Sequence, residues 1–151
     1  LNNLYAFAEK IKALKWLKML RKIKFTNIKQ SNNTLDKYYD DFLNALNDDL
    51  NTPKAMEIVW NMISDINKNL YSFNPTSILK TLKKFDTILS LDIVNHKVSK
   101  VPIKIKLLAK KRFELKKKKQ FETSDKIRDQ INQLGYQIND YQTFYTISKN
   151  I

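Results

Sequence analysis

The residue types best suited to holding a nucleic acid are concentrated between positions 112 and 140. Four lysines at 116–119 are followed by Phe121, and Asp125 and Arg128 come next, three residues apart. Lysines attract phosphates, an aromatic ring can stack on an unpaired base, and carboxylate and guanidinium groups pair with base edges. This combination is typical of a surface that reads a single-stranded RNA loop.

The same residues also have a purely structural interpretation. Asp125 and Arg128 are spaced as neighbours on one helix face, where an ion pair stabilises a helix by about 0.2–0.5 kcal/mol. Phe121 would then be a core residue. The chemistry of the side chains leaves the two interpretations about equally supported.

Composition limits the classes of fold and of site. The 151 residues include one glycine, three prolines, one histidine and no cysteine. So few turn-forming residues favour a mainly α-helical protein. Disulfides and thiolate metal sites are excluded, and most His-based catalytic arrangements are too. No apolar run approaches the length of a membrane span and no signal peptide is recognised, so we expect a cytoplasmic protein that does not contact membrane.

The charge balance indicates a polyanionic partner. With 28 Lys and Arg against 15 Asp and Glu, the net charge is +13. Such a charge attracts nucleic acid first and an anionic membrane surface second. Codon bias in an AT-rich genome is the competing explanation, because lysine greatly outnumbers arginine.

Periodic apolar residues predict six helices and a hairpin. The predicted helices are 1–23, 35–46, 53–71, 75–90, 102–119 and 121–134, and the predicted strands are 136–140 and 144–148. Asn51 or Thr52 is predicted to cap the third helix before Pro53, Asn74 the fourth before Pro75, and Gly135 is predicted to end the sixth. We expect a mainly α fold, with an antiparallel helical bundle at 1–95 and a helical-hairpin domain ending in a short β-hairpin at 96–151.

Several other residues are assigned structural places. Residues 25–34 are predicted to form a loop, Trp60 to lie in the core, and His96 to be an exposed histidine in the linker 91–101. Asp48 and Asp49 could bind Mg²⁺ or exchange protons, but no third ligand or nucleophile accompanies them. Because the sequence opens with Leu1 inside a helical pattern, we expect it to be part of a longer protein.

Two stretches resemble the cysteinyl-tRNA synthetases, class I enzymes of translation. Their C-terminal pattern R-x-x-x-R-x-x-K-D-F/W-x-x-A-D-x-I-R-D-x-L-x-x-x-G-x-x-L-x-D is similar to the stretch from Arg112 to Asp140. The segment F-L-N-A-L-N-D-D-L-N-T-P-K-A-M, beginning at Phe42, resembles the opening of the family's helical-bundle domain. Two departures are Lys116, where the pattern has arginine, and Gln120, where it has aspartate.

The resemblance implies the C-terminal tRNA-binding region of a cysteine–tRNA ligase. The bundle would support the inner side of tRNA(Cys), and the last domain would read the GCA anticodon. The residues that the resemblance assigns to anticodon binding are the stacking Phe121, the base-reading Asp125, Arg128 and Asp140, and the basic Lys116 and Arg112.

The family's catalytic motifs, HIGH and KMSKS, are absent from these residues, and so are its Cys and His zinc ligands. We therefore expect no catalytic residue, cofactor or metal here. The resemblance implies that zinc, ATP and Mg²⁺ belong to a catalytic domain of the same polypeptide, which we expect to be a monomer. The alternative function is a basic helical interaction module for non-specific RNA or a protein partner. A third hypothesis, a sequence-specific DNA binder, is not supported, because the sequence has neither a helix-turn-helix signature nor a dimerisation zipper.

Overall fold

The computed structural model of the chain describes residues 2–20, 23, 25–26, 28–96, 101–141 and 143–149. The chain divides into two compact units, Leu1–His96 and Lys97–Ile151. They are called the N-terminal unit and the C-terminal unit below, and each is described by itself.

Four helices build the described part of the N-terminal unit. They are α1 (Asn2–Met19), α2 (Ile28–Asn47), α3 (Thr52–Lys68) and α4 (Pro75–Leu89), with a short 3-10 helix at Leu70–Ser72. α2 packs against α3 and α4, and α1 packs against α4. The predicted mainly α class with a helical bundle is confirmed.

Asparagine side chains start two of these helices. Asn51 Oδ1 accepts a hydrogen bond from the Lys54 amide at 3.1 Å, and Asn74 Oδ1 accepts one from the Thr76 amide at 3.1 Å. Each satisfies an amide that has no partner inside the helix. Pro53 and Pro75 stand in the first turns of α3 and α4, where the missing N–H is not needed. The predicted helix starts are confirmed.

Aromatic packing joins α2 to α4 in the centre of the bundle. The rings of Phe42 and Phe85 are both fully buried, and their centroids lie 4.7 Å apart at an interplanar angle of 55°. This tilted arrangement is one that aromatic pairs prefer. Fully buried aliphatic side chains also come from all four helices and the segment after them: Leu4, Ile11, Leu14, Leu35, Val59, Ile66, Ile78, Leu82 and Ile93.

The loop predicted at 25–34 is wrong for most of its length, because α2 begins at Ile28. The stretch Q-S-N-N-T consists of weak helix formers, each less favourable than alanine by no more than about 0.7 kcal/mol. It contains neither glycine nor proline to stop the helix. Ser31 and Leu35, four residues apart, are both buried, and this burial on one helix face outweighs the low propensity.

Two aromatic assignments are also corrected. Trp60 is 38% exposed, because its neighbour Val59 occupies the buried direction on α3 and one residue rotates a helix by about 100°. His96 is not a bare loop residue, since its ring stacks on Tyr5 with centroids 3.8 Å apart. Tyr5 also donates a hydrogen bond to the Leu91 carbonyl at 2.9 Å. Residues 97–100 of the predicted linker lie outside the described residues.

The C-terminal unit is a helical hairpin followed by a β-hairpin. α5 (Ile103–Lys117) packs against α6 (Phe121–Gln133), and β1 (Tyr136–Asp140) pairs antiparallel with β2 (Tyr145–Lys149). The register places Tyr136 opposite Lys149 and Asp140 opposite Tyr145. Buried apolar side chains from both helices and β1 form its core: Ile105, Ala109, Ile127, Ile131 and Ile138. The predicted helical hairpin that ends in a short β-hairpin is confirmed.

Left-handed residues make the turns on both sides of α6. Lys119, with φ 61°, reverses the chain after α5, and its amide donates to the Lys116 carbonyl at 3.0 Å. Gly135, with φ 80°, follows α6, and a Cβ atom there would meet nothing within 4 Å. Its backbone angle, not lack of space, therefore favours glycine. Leu134, predicted to be buried, is 42% exposed just before this turn.

Candidate nucleic-acid interface

One face of α6 carries three exposed side chains that could bind RNA. Phe121, Asp125 and Arg128 follow the spacing i, i+4, i+7, which places them in one row on a helix. Phe121 is 56% exposed, and the side chains of Asp125 and Arg128 are 53% and 46% exposed. The face that packs in the core consists of other residues: Ser124, Ile127 and Ile131.

Asp125 and Arg128 form a loose ion pair within this row. Arg128 Nη2 lies 3.4 Å from Asp125 Oδ1, and both side chains are about half exposed. Exposed pairs of this kind contribute about 0–1 kcal/mol. A ligand could therefore break this ion pair and bind either side chain with little loss of unfolding free energy.

A second cluster joins α5 to the end of β1. Arg112 Nη1 donates to Asp140 Oδ1 at 2.7 Å and to Oδ2 at 2.8 Å, and Lys116 Nζ donates to Oδ2 at 2.8 Å. The Arg112 side chain is 4% exposed, that of Asp140 18%, and that of Lys116 44%. The cluster therefore has a buried cation, a partly buried carboxylate and a cation at the surface.

The Asp140 carboxylate stays ionised because of its two partners. Burial raises the pKa of Asp140, but the hydrogen bonds from Arg112 and Lys116, together with their positive charges, outweigh burial and hold that pKa below its ordinary value of 3.8. A group whose folded-state pKa is depressed stabilises the fold above its unfolded pKa. That stabilisation is lost as the pH falls through the folded value.

Acid is therefore expected to weaken the C-terminal unit through Asp140. Wild-type chain should lose unfolding free energy as the pH is lowered from about 5 through the depressed pKa of Asp140, whereas Asp140→Asn should show a smaller loss over the same range. Urea titrations followed by circular dichroism at several pH values measure both slopes. Identical slopes for wild type and Asp140→Asn would show that this carboxylate does not contribute to the loss of stability in acid.

The six residues predicted for anticodon binding are thus divided between two clusters. Phe121, Asp125 and Arg128 share the α6 row, whereas Arg112, Lys116 and Asp140 join α5 to β1. In the described part of the chain, no hydrogen bond or ion pair connects the two clusters. Arg112 is only 3% exposed, which leaves little of its guanidinium group accessible to a ligand. Its assignment to anticodon binding stays a prediction.

The lysine run does not present four equivalent charges. Lys116 pairs with Asp140, and the Lys117 ammonium lies 4.5 Å from the centroid of the Phe113 ring. Lys118 and Lys119 are exposed in the turn after α5. Positive charge at this helix end is also favoured by the helix dipole.

Sequence reasoning missed Phe113 and Tyr141, which line an open groove beside the second cluster. The groove encloses about 380 Å³, and its other lining residues are Lys116, Lys117 and Asp140. The signal in the sequence was an aromatic residue preceding the lysine run and another directly following Asp140. Neither is a position shared with the family pattern, so the resemblance did not point to them.

The resemblance implies a zinc site in the catalytic domain, and the described residues of this chain do not form a second one. The chain has no cysteine and one histidine, and among the described residues no three His, Cys, Asp or Glu side chains are grouped to hold a metal ion. Asp48 and Asp49 lie in the turn between α2 and α3. Over the described residues, no helix has the length and apolarity to cross a membrane.

Comparison with known families places part of the N-terminal unit in a recognised domain. Residues 41–94 match the DALR domain family. The match begins in the second half of α2 and ends after α4, so it covers the helices that carry the Asn51 and Asn74 caps.

Relatives confirm the resemblance predicted from the sequence. The chain is 30% identical to the cysteine–tRNA ligase of Pseudothermotoga lettingae over 73% of this chain and 26% of the relative. It is 31% identical to that of Wolbachia pipientis wMel over 83% of this chain and 28% of the relative. For the Methanococcus vannielii enzyme, the identity is 34% over 73% of this chain and 25% of the relative. The chain therefore spans about a quarter of the length of these relatives.

Proposed function

We propose that this chain, which resembles cysteine–tRNA ligases over most of its length, is the tRNA-recognition region of such an enzyme. Its C-terminal unit would bind the anticodon loop of tRNA(Cys), and its N-terminal bundle would support the inner side of the tRNA. The similarity to named cysteine–tRNA ligases, the DALR match and the net charge of +13 support this proposal.

The observation that carries the proposal is the exposed row on α6. An aromatic ring that is 56% exposed does not contribute much to a core, but it can stack on an unpaired base for about 1–3 kcal/mol. Beside it, the Asp125 carboxylate can accept from base amino groups, and the Arg128 guanidinium can donate to base oxygens or phosphate. A helix holds the three groups at fixed spacing, as sequence-specific reading requires.

The second cluster would act differently within the same function. Lys116 and Asp140 reach the surface and could contact the loop directly. Arg112 would instead act through Asp140, because its buried Nη1 atom donates to both oxygens of that carboxylate. Ionisation and orientation of Asp140 would thus be set before RNA arrives, which reduces the ordering needed on binding.

The proposal assigns the chemistry to another part of a longer polypeptide. Cysteine activation with ATP and Mg²⁺, and the zinc that the resemblance implies, would belong to a catalytic domain joined to this region. This assignment is supported by the fraction of each relative that the chain spans, 26% and 28% in the first two. We further propose that the enzyme is a cytoplasmic monomer.

Specific anticodon reading can be tested with two RNA stem-loops. One carries GCA and the other differs by one anticodon base, and fluorescence anisotropy at near-physiological salt gives both dissociation constants. We expect the chain to prefer the GCA loop about tenfold, or about 1.4 kcal/mol. Asp125→Ala should lose this preference. Glu122→Ala is the matched control, because it removes the same charge from an exposed position of α6 outside the row.

The other outcomes separate the alternative functions. Equal binding to both loops with a steep dependence on salt would indicate a non-specific basic RNA-binding module. Absence of binding to either loop would favour a protein partner for the basic surface. Retention of the preference in Asp125→Ala would contradict the assignment of this carboxylate to base reading.

A further inference from the structure

The open groove between α5 and the end of β1 combines aromatic and charged walls. α5 contributes Phe113, Lys116 and Lys117, and the other side is formed by Asp140 and Tyr141. All five residues belong to the C-terminal unit. A volume of about 380 Å³ lies in the range of small-molecule sites, which is about 300–1,000 Å³, and is sufficient for one nucleotide.

Both aromatic walls are held by a second ring. Phe113 packs on Tyr145 with centroids 5.1 Å apart, and Tyr141 stacks on Phe144 with centroids 4.5 Å apart and planes 16° from parallel. The Tyr141 amide also donates to the Phe144 carbonyl at 2.8 Å. Rings fixed in this way lose little conformational entropy when a ligand stacks on them.

One oxygen of the Asp140 carboxylate retains acceptor capacity. Among the residues that the structure describes, Oδ2 receives hydrogen bonds from Arg112 and Lys116, whereas Oδ1 receives one, from Arg112. Each carboxylate oxygen can accept about two hydrogen bonds. Among the described residues, Oδ1 is therefore the oxygen that could accept from a base amino group.

Positive charge lies at the same groove. The Lys117 ammonium sits over the Phe113 ring at 4.5 Å from its centroid, and Lys116 is held at Asp140. For a nucleotide, the Phe113 ring offers a stacking surface, the Asp140 carboxylate a hydrogen-bond acceptor, and the Lys117 ammonium a positive charge for the phosphate. An apolar metabolite would use only the first of these.

We propose that Phe113 and Tyr141 form a subsite for one unpaired RNA nucleotide, separate from the stacking position of Phe121. The base lies against the two rings, and the Lys117 ammonium faces the nucleotide's phosphate. This inference rests on the proposed function, since it names an additional base held by the same unit. The two aromatic residues lie outside the pattern shared with the family, so the subsite extends what the resemblance implies.

An abasic scan of the RNA loop tests the subsite. Each unpaired nucleotide of the GCA stem-loop is replaced in turn by an abasic residue, and anisotropy gives the affinity for the whole chain. With wild type, one abasic position should weaken binding about 5- to 150-fold, the range expected for loss of one stacked base. In Phe113→Leu and Tyr141→Leu, that position should no longer matter. Tyr141→Phe, which keeps the ring, should restore its effect.

Phe121→Leu is the matched control, because it removes an exposed ring outside the groove. It should remove the effect of a different abasic position and leave the Tyr141-dependent one intact. If every abasic penalty is the same in wild type, Phe113→Leu and Tyr141→Leu, the subsite does not exist. Should the leucine variants unfold, aromatic NMR of wild type decides: upfield shifts of the Phe113 and Tyr141 ring protons on RNA binding support the subsite, and unchanged shifts overturn it.

The scan also separates this inference from the proposed function. If the chain shows no preference for GCA, but one abasic penalty depends on Tyr141, the subsite stands and anticodon specificity fails. If the GCA preference depends on Asp125, but no penalty depends on Phe113 or Tyr141, specificity stands and the subsite fails.

Discussion

Replacing Arg112 with methionine is expected to destabilise the C-terminal unit by about 3 kcal/mol. Removing one partner of a buried ion pair costs about 3–5 kcal/mol because the other charge is left desolvated. The low end applies since the Asp140 side chain keeps 18% exposure and Lys116 remains beside it. Methionine preserves the length of the apolar stem, so the lost hydrogen bonds to Asp140 should dominate.

The distribution of tryptophan allows this effect to be assigned to one unit. Trp16 and Trp60 are the two tryptophans of the sequence, and both belong to the N-terminal unit. In urea titrations, Arg112→Met should move part of the circular dichroism transition to lower urea. The midpoint of the tryptophan fluorescence transition should stay at its wild-type value. Lys116→Met is the control at the exposed end of the cluster, for which we expect a change below about 1 kcal/mol.

A double substitution checks the physical reason. If the loss in Arg112→Met comes from an uncompensated carboxylate, then adding Asp140→Leu should recover a large part of it, because replacing a whole buried pair by apolar groups is often close to neutral. A single variant as stable as wild type, or a double variant less stable than Arg112→Met, would show that the pair does not have this role.

Phe42→Ala is expected to destabilise the N-terminal unit by about 3–5 kcal/mol. The ring is fully buried and lies against Phe85 and Tyr39, so its removal leaves a cavity between α2 and α4 in addition to the loss of apolar burial. The tryptophan fluorescence transition should move to lower urea. Leu50→Ala, at a side chain 77% exposed, should change stability by no more than about 0.5 kcal/mol.

This result would be contradicted by a fluorescence midpoint equal to that of wild type. Phe42→Leu provides a graded comparison, since it keeps most of the buried volume and should lose less than Phe42→Ala. Arg112→Met and Phe42→Ala would then probe one unit each: the first should leave the tryptophan fluorescence transition unchanged, and the second should move it.

Much of the fold follows from patterns that are local in sequence. The Asn51 and Asn74 side chains accept from amides two or three residues away, and Gly135 ends α6 through its own backbone angle. The starts of α3 and α4 and the end of α6 were therefore predictable. The start of α2 was not, because polar residues lower helix propensity only slightly while the deciding burial of Ser31 and Leu35 depends on tertiary packing.

The candidate site was predictable as a set of residues but not as an arrangement. Spacing placed Asp125 and Arg128 on one helix face, and the exposure of these two side chains and of Phe121 agrees with ligand binding. Burial of Arg112 could not be read from the chain, because its partner Asp140 is 28 residues away and an exposed cation gives the same local pattern.

The aromatic groove shows a similar limit. Phe113 looks like any apolar helix residue, and its role depends on where Tyr141 lies after the β-hairpin has formed. A charged residue or an aromatic residue can be placed in a helix from the sequence, but the cavity between two elements exists only once both are packed.

The left-handed Lys119 has a consequence for the chain before it folds. A lysine side chain strains such a backbone position by about 1 kcal/mol relative to glycine in the native state. It also restricts the unfolded backbone, which reduces the entropy lost on folding by an amount worth about 0.4–1 kcal/mol. The two effects oppose each other at every turn of this kind. With one glycine in 151 residues, the unfolded chain has fewer backbone conformations than a glycine-rich chain of equal length. It therefore loses less entropy on folding, and this offsets part of the strain at left-handed positions such as Lys119.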